Sequence, residues 1–162
     1  MDLEDLKKEI PYKWRVQSAN KYGANCVAYI DARDVQDLLD EVCSPMNWAT
    51  EYKDYKGNLF CGIGIKDTEY ADGEWTWKWD CGVESNVEKQ KGEASDAFKR
   101  AAVMWGIGRF LYSKEIIKLP VEQKGTDFKG NPKYVPYSEK AGKFVYGDDI
   151  TVWCNALTDG SK

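Results

Sequence analysis

Between residues 92 and 110 the chain reads GEASDAFKRAAVMWGIGRF, and helical periodicity gathers Ala94, Ala97, Phe98, Ala101, Ala102, Met104 and Trp105 into one broad apolar stripe. Most of these side chains are small, so the stripe lets the helix lie close against a neighbouring sheet. Lys99 and Arg100 sit about 100° apart at the margin of the stripe, with Asp96 three and four residues before them. Two readings stay open. The pair is a solvated face laced with ion pairs, which periodicity alone favours, or it faces phosphates, where lysine offers a point charge and arginine a bidentate fork. Ser85 and Glu88 form an S-x-x-E capping box that opens the helix. Gly92 costs about 1 kcal/mol relative to alanine and marks a place for a break. Gly106 and Gly108 end or bend the helix.

The segments before this helix supply the sheet. WATEYKDY (48–55), LFCGIGI (59–65) and EWTWKWDCGV (74–83), joined by KGN and by a polar stretch ending in YADG, predict an antiparallel meander. Upstream, WRVQSA (14–19) and CVAYI (26–30) flank NKYGAN and predict a β-hairpin. Asp31 caps a helix over 32–43 with Asp34 in its first turn; Val35, Leu38, Leu39 and Val42 form its apolar face and Pro45 stops it. Leu3, Leu6 and Ile10 have helical spacing in an arm over 1–11 that Pro11 ends. A core domain over 12–119 is followed by a loop-rich extension over 120–162: 120–142 reads as a long loop or mobile segment, and KFVYG and DITVWCNAL within 143–157 as short strands that dock weakly. The fold class is α+β.

Composition excludes several functions. The 162 residues are 43% hydrophobic and 31% charged, which suits one soluble globular chain. No apolar run reaches the ~18 residues of a membrane span, and the acidic start MDLEDLKKEI has no secretory h-region. A cytoplasmic location, in a bacterial or phage-infected cell, is the expectation. The chain has no histidine, so a Ser–His or Cys–His nucleophile is excluded. Cys26, Cys43, Cys61, Cys81 and Cys154 are widely spaced with no C-x-x-C pair, which points to reduced core thiols rather than zinc ligands; no metal site is expected. No phosphate-cradling glycine motif is present, so ATP hydrolysis is not expected. A hydrolase with paired carboxylates lacks any spaced motif, and the acids of the first helix read as its wet face.

The net charge of −4 is unevenly spread. Residues 1–85 carry 10 Lys and Arg against 17 Asp and Glu, residues 86–118 carry 7 against 4, and residues 119–162 carry 6 against 6. One anion-facing surface on an acidic body follows. Trp75, Trp77 and Trp79 share one strand face, with Thr76, Lys78 and Asp80 on the other. That face is either a stacking platform for bases or sugars or, the favoured reading, a core or subunit-interface face, because three indoles bury more area than stacking needs. Tyr52, Lys53, Tyr55 and Lys56 interleave aromatics with cations as hairpin tips often do.

EASDAFKRAAVMWGIGRFLY, preceded by DCGVESN on a strand, resembles the signature of the Rad52 superfamily of single-strand annealing proteins. CVAYIDARDVQDLLDEVCSPMNW resembles that superfamily's strand–helix–Trp segment, and together the motifs cover about residues 12–119. The resemblance implies a β-β-α-β-β-β-α domain whose helix packs across the sheet. It implies rings or filaments of many copies that hold single-stranded DNA in a basic groove and pair complementary strands without ATP. The expected function is therefore annealing in homologous recombination or repair, by a protein that is not an enzyme in the bond-making sense. Members of this size imply a phage or prophage origin, with a phage exonuclease or a host single-strand binding protein as candidate partners. No cofactor is required; a divalent ion is neither implied nor excluded. The superfamily's DNA-binding Lys–Arg pair maps onto Lys99 and Arg100. A further basic position one turn onward falls on Val103, and the arginine that starts the first helix aligns with Asp34, beside Arg33, which substitutes for it. Lys91 aligns with a basic position of a second DNA site, and Arg15, Lys21, Lys53 and Arg109 are further candidate contacts. The rival from another class is a Trp-rich binding module for carbohydrate or protein built on Trp75, Trp77 and Trp79.

Overall fold

The computed structural model describes residues 1–67, 73–82 and 89–159, the side chains of 89–91 excepted. The Ser85–Glu88 capping box and most of the YADG turn lie outside the described residues. The architecture is α+β, and the chain forms two compact units, Met1–Ile10 with Ile30–Tyr112, and Pro11–Tyr29 with Ser113–Lys162. Among the described residues no helix is long and apolar enough to cross a membrane.

The first unit opens on a 3-10 turn, Leu3–Lys7, that buries Leu6. Helix α1 (Ala32–Cys43) starts at Asp31, whose carboxylate accepts from the Asp34 backbone while Asp34 accepts from the Asp31 N–H, a reciprocal capping box. Val35, Leu38 and Leu39 are buried as the periodicity predicts. Strands β3 (Trp48–Tyr55), β4 (Asn58–Lys66) and β5 (Trp75–Cys81) form the expected antiparallel meander, with β4 central. Lys56 and Gly57, both with positive φ, make the two-residue turn between the first two of these strands.

Cys61, Ile63 and Ile65 alternate toward one face of this sheet and are buried there. Helix α2 (Lys89–Met104) lies over that face and buries Ala97, Phe98, Ala101 and Ala102 against β4 and β5. The helix runs through Gly92 without a break, because its packing on the sheet outweighs the cost of one glycine. Three contacts fix it. A Cβ on Gly82 would stand 2.4 Å from the Glu93 carbonyl oxygen, so only glycine admits the approach. The Glu93 carboxylate accepts from the Leu59 N–H (3.1 Å), and the Trp105 indole donates to the Ile63 carbonyl (2.9 Å). Gly106, at φ 99°, ends the helix as expected.

The second unit joins β1 (Lys13–Asn20) and β2 (Gly23–Tyr29) through a turn of Lys21 and Tyr22, tighter than the six-residue NKYGAN turn expected. A strand missed in the sequence, β6 (Ile117–Leu119), pairs with β2, so hairpin and meander belong to separate sheets. Residues 120–142 are not a loop. Strands β7 (Val121–Thr126) and β8 (Pro132–Ser138) form a hairpin around a turn held by Asp127, and β9 (Lys143–Phe144) pairs with the second of them. DITVWCNAL is helical rather than strand-like: α3 (Asp148–Asp159) buries Ile150 and Cys154 in one core with Trp14, Ala24, Cys26, Leu119 and Val145. Its docking is firm, since Thr151 accepts from the Trp14 backbone N–H (2.9 Å) and Asn155 from the Trp14 indole (3.1 Å). The i, i+4 pair Ile150 and Cys154 carries the helical period through a segment whose β-branched residues suggest a strand.

Candidate nucleic-acid interface

Helix α2 carries the Lys–Arg pair on its outward margin. Ala97, Phe98, Ala101 and Ala102 face the sheet, which leaves Lys99 half-buried and Arg100 exposed. The Arg100 Nε–H donates to an Asp96 carboxylate oxygen at 2.9 Å, and this hydrogen bond is the main reason its pKa is raised. The ion-pair face expected from periodicity is thus present on Arg100. With side chains 48% and 36% exposed, such a bridge contributes only about 0.5 kcal/mol and is readily exchanged for another anion.

The remaining candidates divide between the two units. Arg33 is exposed in the first turn of α1, where a cation opposes the helix dipole and gains nothing for the helix itself. Lys53 is exposed on β3 with its ammonium 4.8 Å from the Trp79 ring centroid. Arg109 folds back on α2: Nε donates to the Val103 carbonyl (2.9 Å) and Nη2 to the Met104 carbonyl (3.2 Å). Lys78, not singled out in the sequence, donates to the same Met104 oxygen (3.3 Å) and lies 4.7 Å from the Trp105 ring centroid, so two cations close the negative end of this helix. The side chain of Lys91 lies outside the described residues. In the second unit, Arg15 and Lys21 are exposed on and beside the β1–β2 hairpin, packed over the Tyr29 and Tyr22 rings.

The tryptophan face is not core packing against α2. It is the opposite face of the meander. Gly62 pairs with Trp79 and Gly64 with Trp77, and a Cβ on either glycine would meet Cε2, Cδ2 and Cζ2 of that ring at 2.6–2.7 Å. The ring-fusion carbons are among the nearest atoms, so each indole lies face-down on a glycine. Trp75, Trp77 and Trp79 are nearly parallel (27° and 28°) with centroids 6.1 Å apart. That spacing follows the two-residue repeat of a strand, so the rings are tiled along the sheet and not piled face on face. Trp75 is 40% exposed and the other two are half-buried. Of the expected core or subunit-interface face, the core half is thereby corrected; G-x-G in LFCGIGI beside W-x-W in the next strand is the sequence signal for indoles laid flat on glycines.

Burial pushes the Cys43 and Cys61 thiols up to about 11 and Cys154 up to about 12. All five cysteines are free, and no group of three or more Cys, Asp or Glu side chains among the described residues is placed to hold a metal.

Residues 1–129 match the Rad52/22 family of double-strand break repair proteins. The chain belongs to the Rad52/22 family. The match begins before and ends after the motifs at 12–119, and it takes in α1, the meander, α2 and the β1–β2 hairpin. Similar chains are the single-stranded DNA-binding protein DdrA of Deinococcus radiodurans, 30% identical over 154 residues (84% of this chain, 66% of that one), and DdrA of Deinococcus deserti, 34% identical over 130 residues (69% and 59%). This Rad52/22 chain therefore spans about two thirds or less of the length of those relatives. No solved structure matches it.

Proposed function

We propose that this Rad52/22 chain binds single-stranded DNA and anneals complementary strands without ATP, in homologous recombination or double-strand break repair, and that it works as a ring or filament of many copies. The observation that carries the reading is family membership over the segment that holds the Lys99–Arg100 pair on the outward margin of α2. Relatives whose printed name is single-stranded DNA-binding protein support it.

Little bond chemistry is required. Lysine and arginine neutralise phosphates and release counterions, and a backbone held by its charges leaves base edges free to pair. Arg109 contributes a cation at the turn of α2 where Val103 leaves none on the helix itself. Arg33 is the further cation of this site that the family resemblance implies, and Lys91 belongs to a second one. Repetition of a modest basic patch around an assembly multiplies weak contacts into firm binding. The acidic remainder of the protomer keeps DNA off other surfaces.

The test is the double variant Lys99→Ala with Arg100→Ala in oligo-dT binding across a salt series. Two lost phosphate contacts flatten the slope of log K against log salt by about 1.4 and raise Kd at least tenfold, with particle size unchanged by size-exclusion chromatography. Unchanged affinity and slope reject the site. The rival reading, a Trp-rich module for carbohydrate or protein, draws on the tiled indoles and predicts a small particle indifferent to oligonucleotides.

A further inference from the structure

We propose that Trp75, Trp77 and Trp79 form a floor on which the bases of a single strand stack, a second polynucleotide contact on the sheet face opposite α2. The proposal rests on the single-strand binding reading above and adds a surface that recognises bases rather than phosphates.

Three features select this occupant. First, the rings are held flat. Gly62 and Gly64 remove the Cβ atoms that would tilt Trp79 and Trp77 off the sheet, so these two indoles lie flat; Lys53 sits over the Trp79 ring, and Trp77 with the exposed Trp75 offers the outward π-faces a stacking base needs. Second, the period fits a stretched strand. Centroids recur every 6.1 Å, nearly twice the ~3.4 Å step of bases stacked in a duplex strand. Bases laid on successive indoles are therefore separated from one another, which keeps a strand free of self-structure before pairing. Third, cations border the floor. Lys53 lies over Trp79, Lys66 pairs in register with Trp75, and Lys56 occupies the adjoining turn. Glu51, in register with Gly62, is a carboxylate on the same face and limits the floor to a strand whose phosphates run along the lysine side.

The experiment compares the intact chain with Trp75→Ala/Trp77→Ala, both checked for folding by circular dichroism. The ligands are oligo-dT and a deoxyribose-phosphate strand of equal length without bases, titrated at matched salt. The intact chain prefers oligo-dT, and the variant loses that preference by about tenfold while its salt slope stays the same. A wild-type measurement stands beside it: an oligonucleotide carrying bromouracil, irradiated on the intact chain, attaches to the peptide containing residues 75–79. A retained preference in a folded variant, or attachment mapped wholly elsewhere, overturns the floor and leaves the annealing reading standing. A variant whose particle size changes while its binding does not assigns the face to a second copy and overturns it too. An intact chain that binds neither ligand removes both readings.

Discussion

A single methyl group is a sharp probe of this fold. Gly82→Ala drives a Cβ to 2.4 Å from a backbone carbonyl that cannot rotate away, so α2 must move off the sheet. The expected loss is about 1–3 kcal/mol, read as a fall in the thermal midpoint. Gly64→Ala meets a side chain instead. It lifts the Trp77 indole from the sheet, and the change registers first in near-ultraviolet circular dichroism. Asp96 offers a residue-scale test of opposite sign. Its carboxylate competes with phosphate for Arg100, so Asp96→Asn is expected to tighten oligo-dT binding several-fold at low salt and little at high salt. Weaker binding would show that Asp96 positions the guanidinium instead of screening it.

The elements themselves show which physics can be read from a sequence. Helix α1 was legible from Asp31 to Cys43, because cap, periodicity and stop signal all agree locally. Asp31→Ala breaks the capping box and is expected to cost about 1 kcal/mol by urea unfolding. The meander and α2 were legible for the same reason: alternation and a 3.6-residue stripe are local patterns. What escaped depends on distant partners. Strand β6 is three residues long and exists only because Ala24, Asn25 and Cys26 offer it an edge. Helix α3 is specified by its fit beneath Trp14, and its Ile150, Thr151 and Val152 argue for a strand until Cys154 is seen to share the buried side with Ile150. At the candidate interface the pair Lys99–Arg100 was visible, whereas the roles of Lys78 and Arg109 as clasps on Met104 required the helix end to be folded.

Across the whole molecule, burial controls the cysteines. Thiols ordinarily ionise near pH 9, and those of Cys43, Cys61 and Cys154 stay protonated in the folded chain until about pH 11–12. The unfolded chain sheds these protons first. Stability from this source is therefore full below pH 9 and is lost as pH rises through 11–12. Thiolate absorbance at pH 10 is expected to rise when urea is added, as Cys43, Cys61 and Cys154 lose the burial that holds them protonated. The extension beyond residue 119 is equally integral. Removing it strips Val145, Ile150 and Cys154 from the core they share with Trp14 and Cys26, so a chain cut after Leu119 is expected to aggregate or to expose Trp14, seen as red-shifted fluorescence. Each unit takes two stretches of chain, and this has a consequence for biosynthesis. The first hairpin, ending at Tyr29, leaves the ribosome about 120 residues ahead of the helix that covers it, which begins at Asp148, and at ~5–20 residues per second it travels uncovered for on the order of ten seconds. During that interval a nascent-chain chaperone, and not the protein's own interior, must shield it.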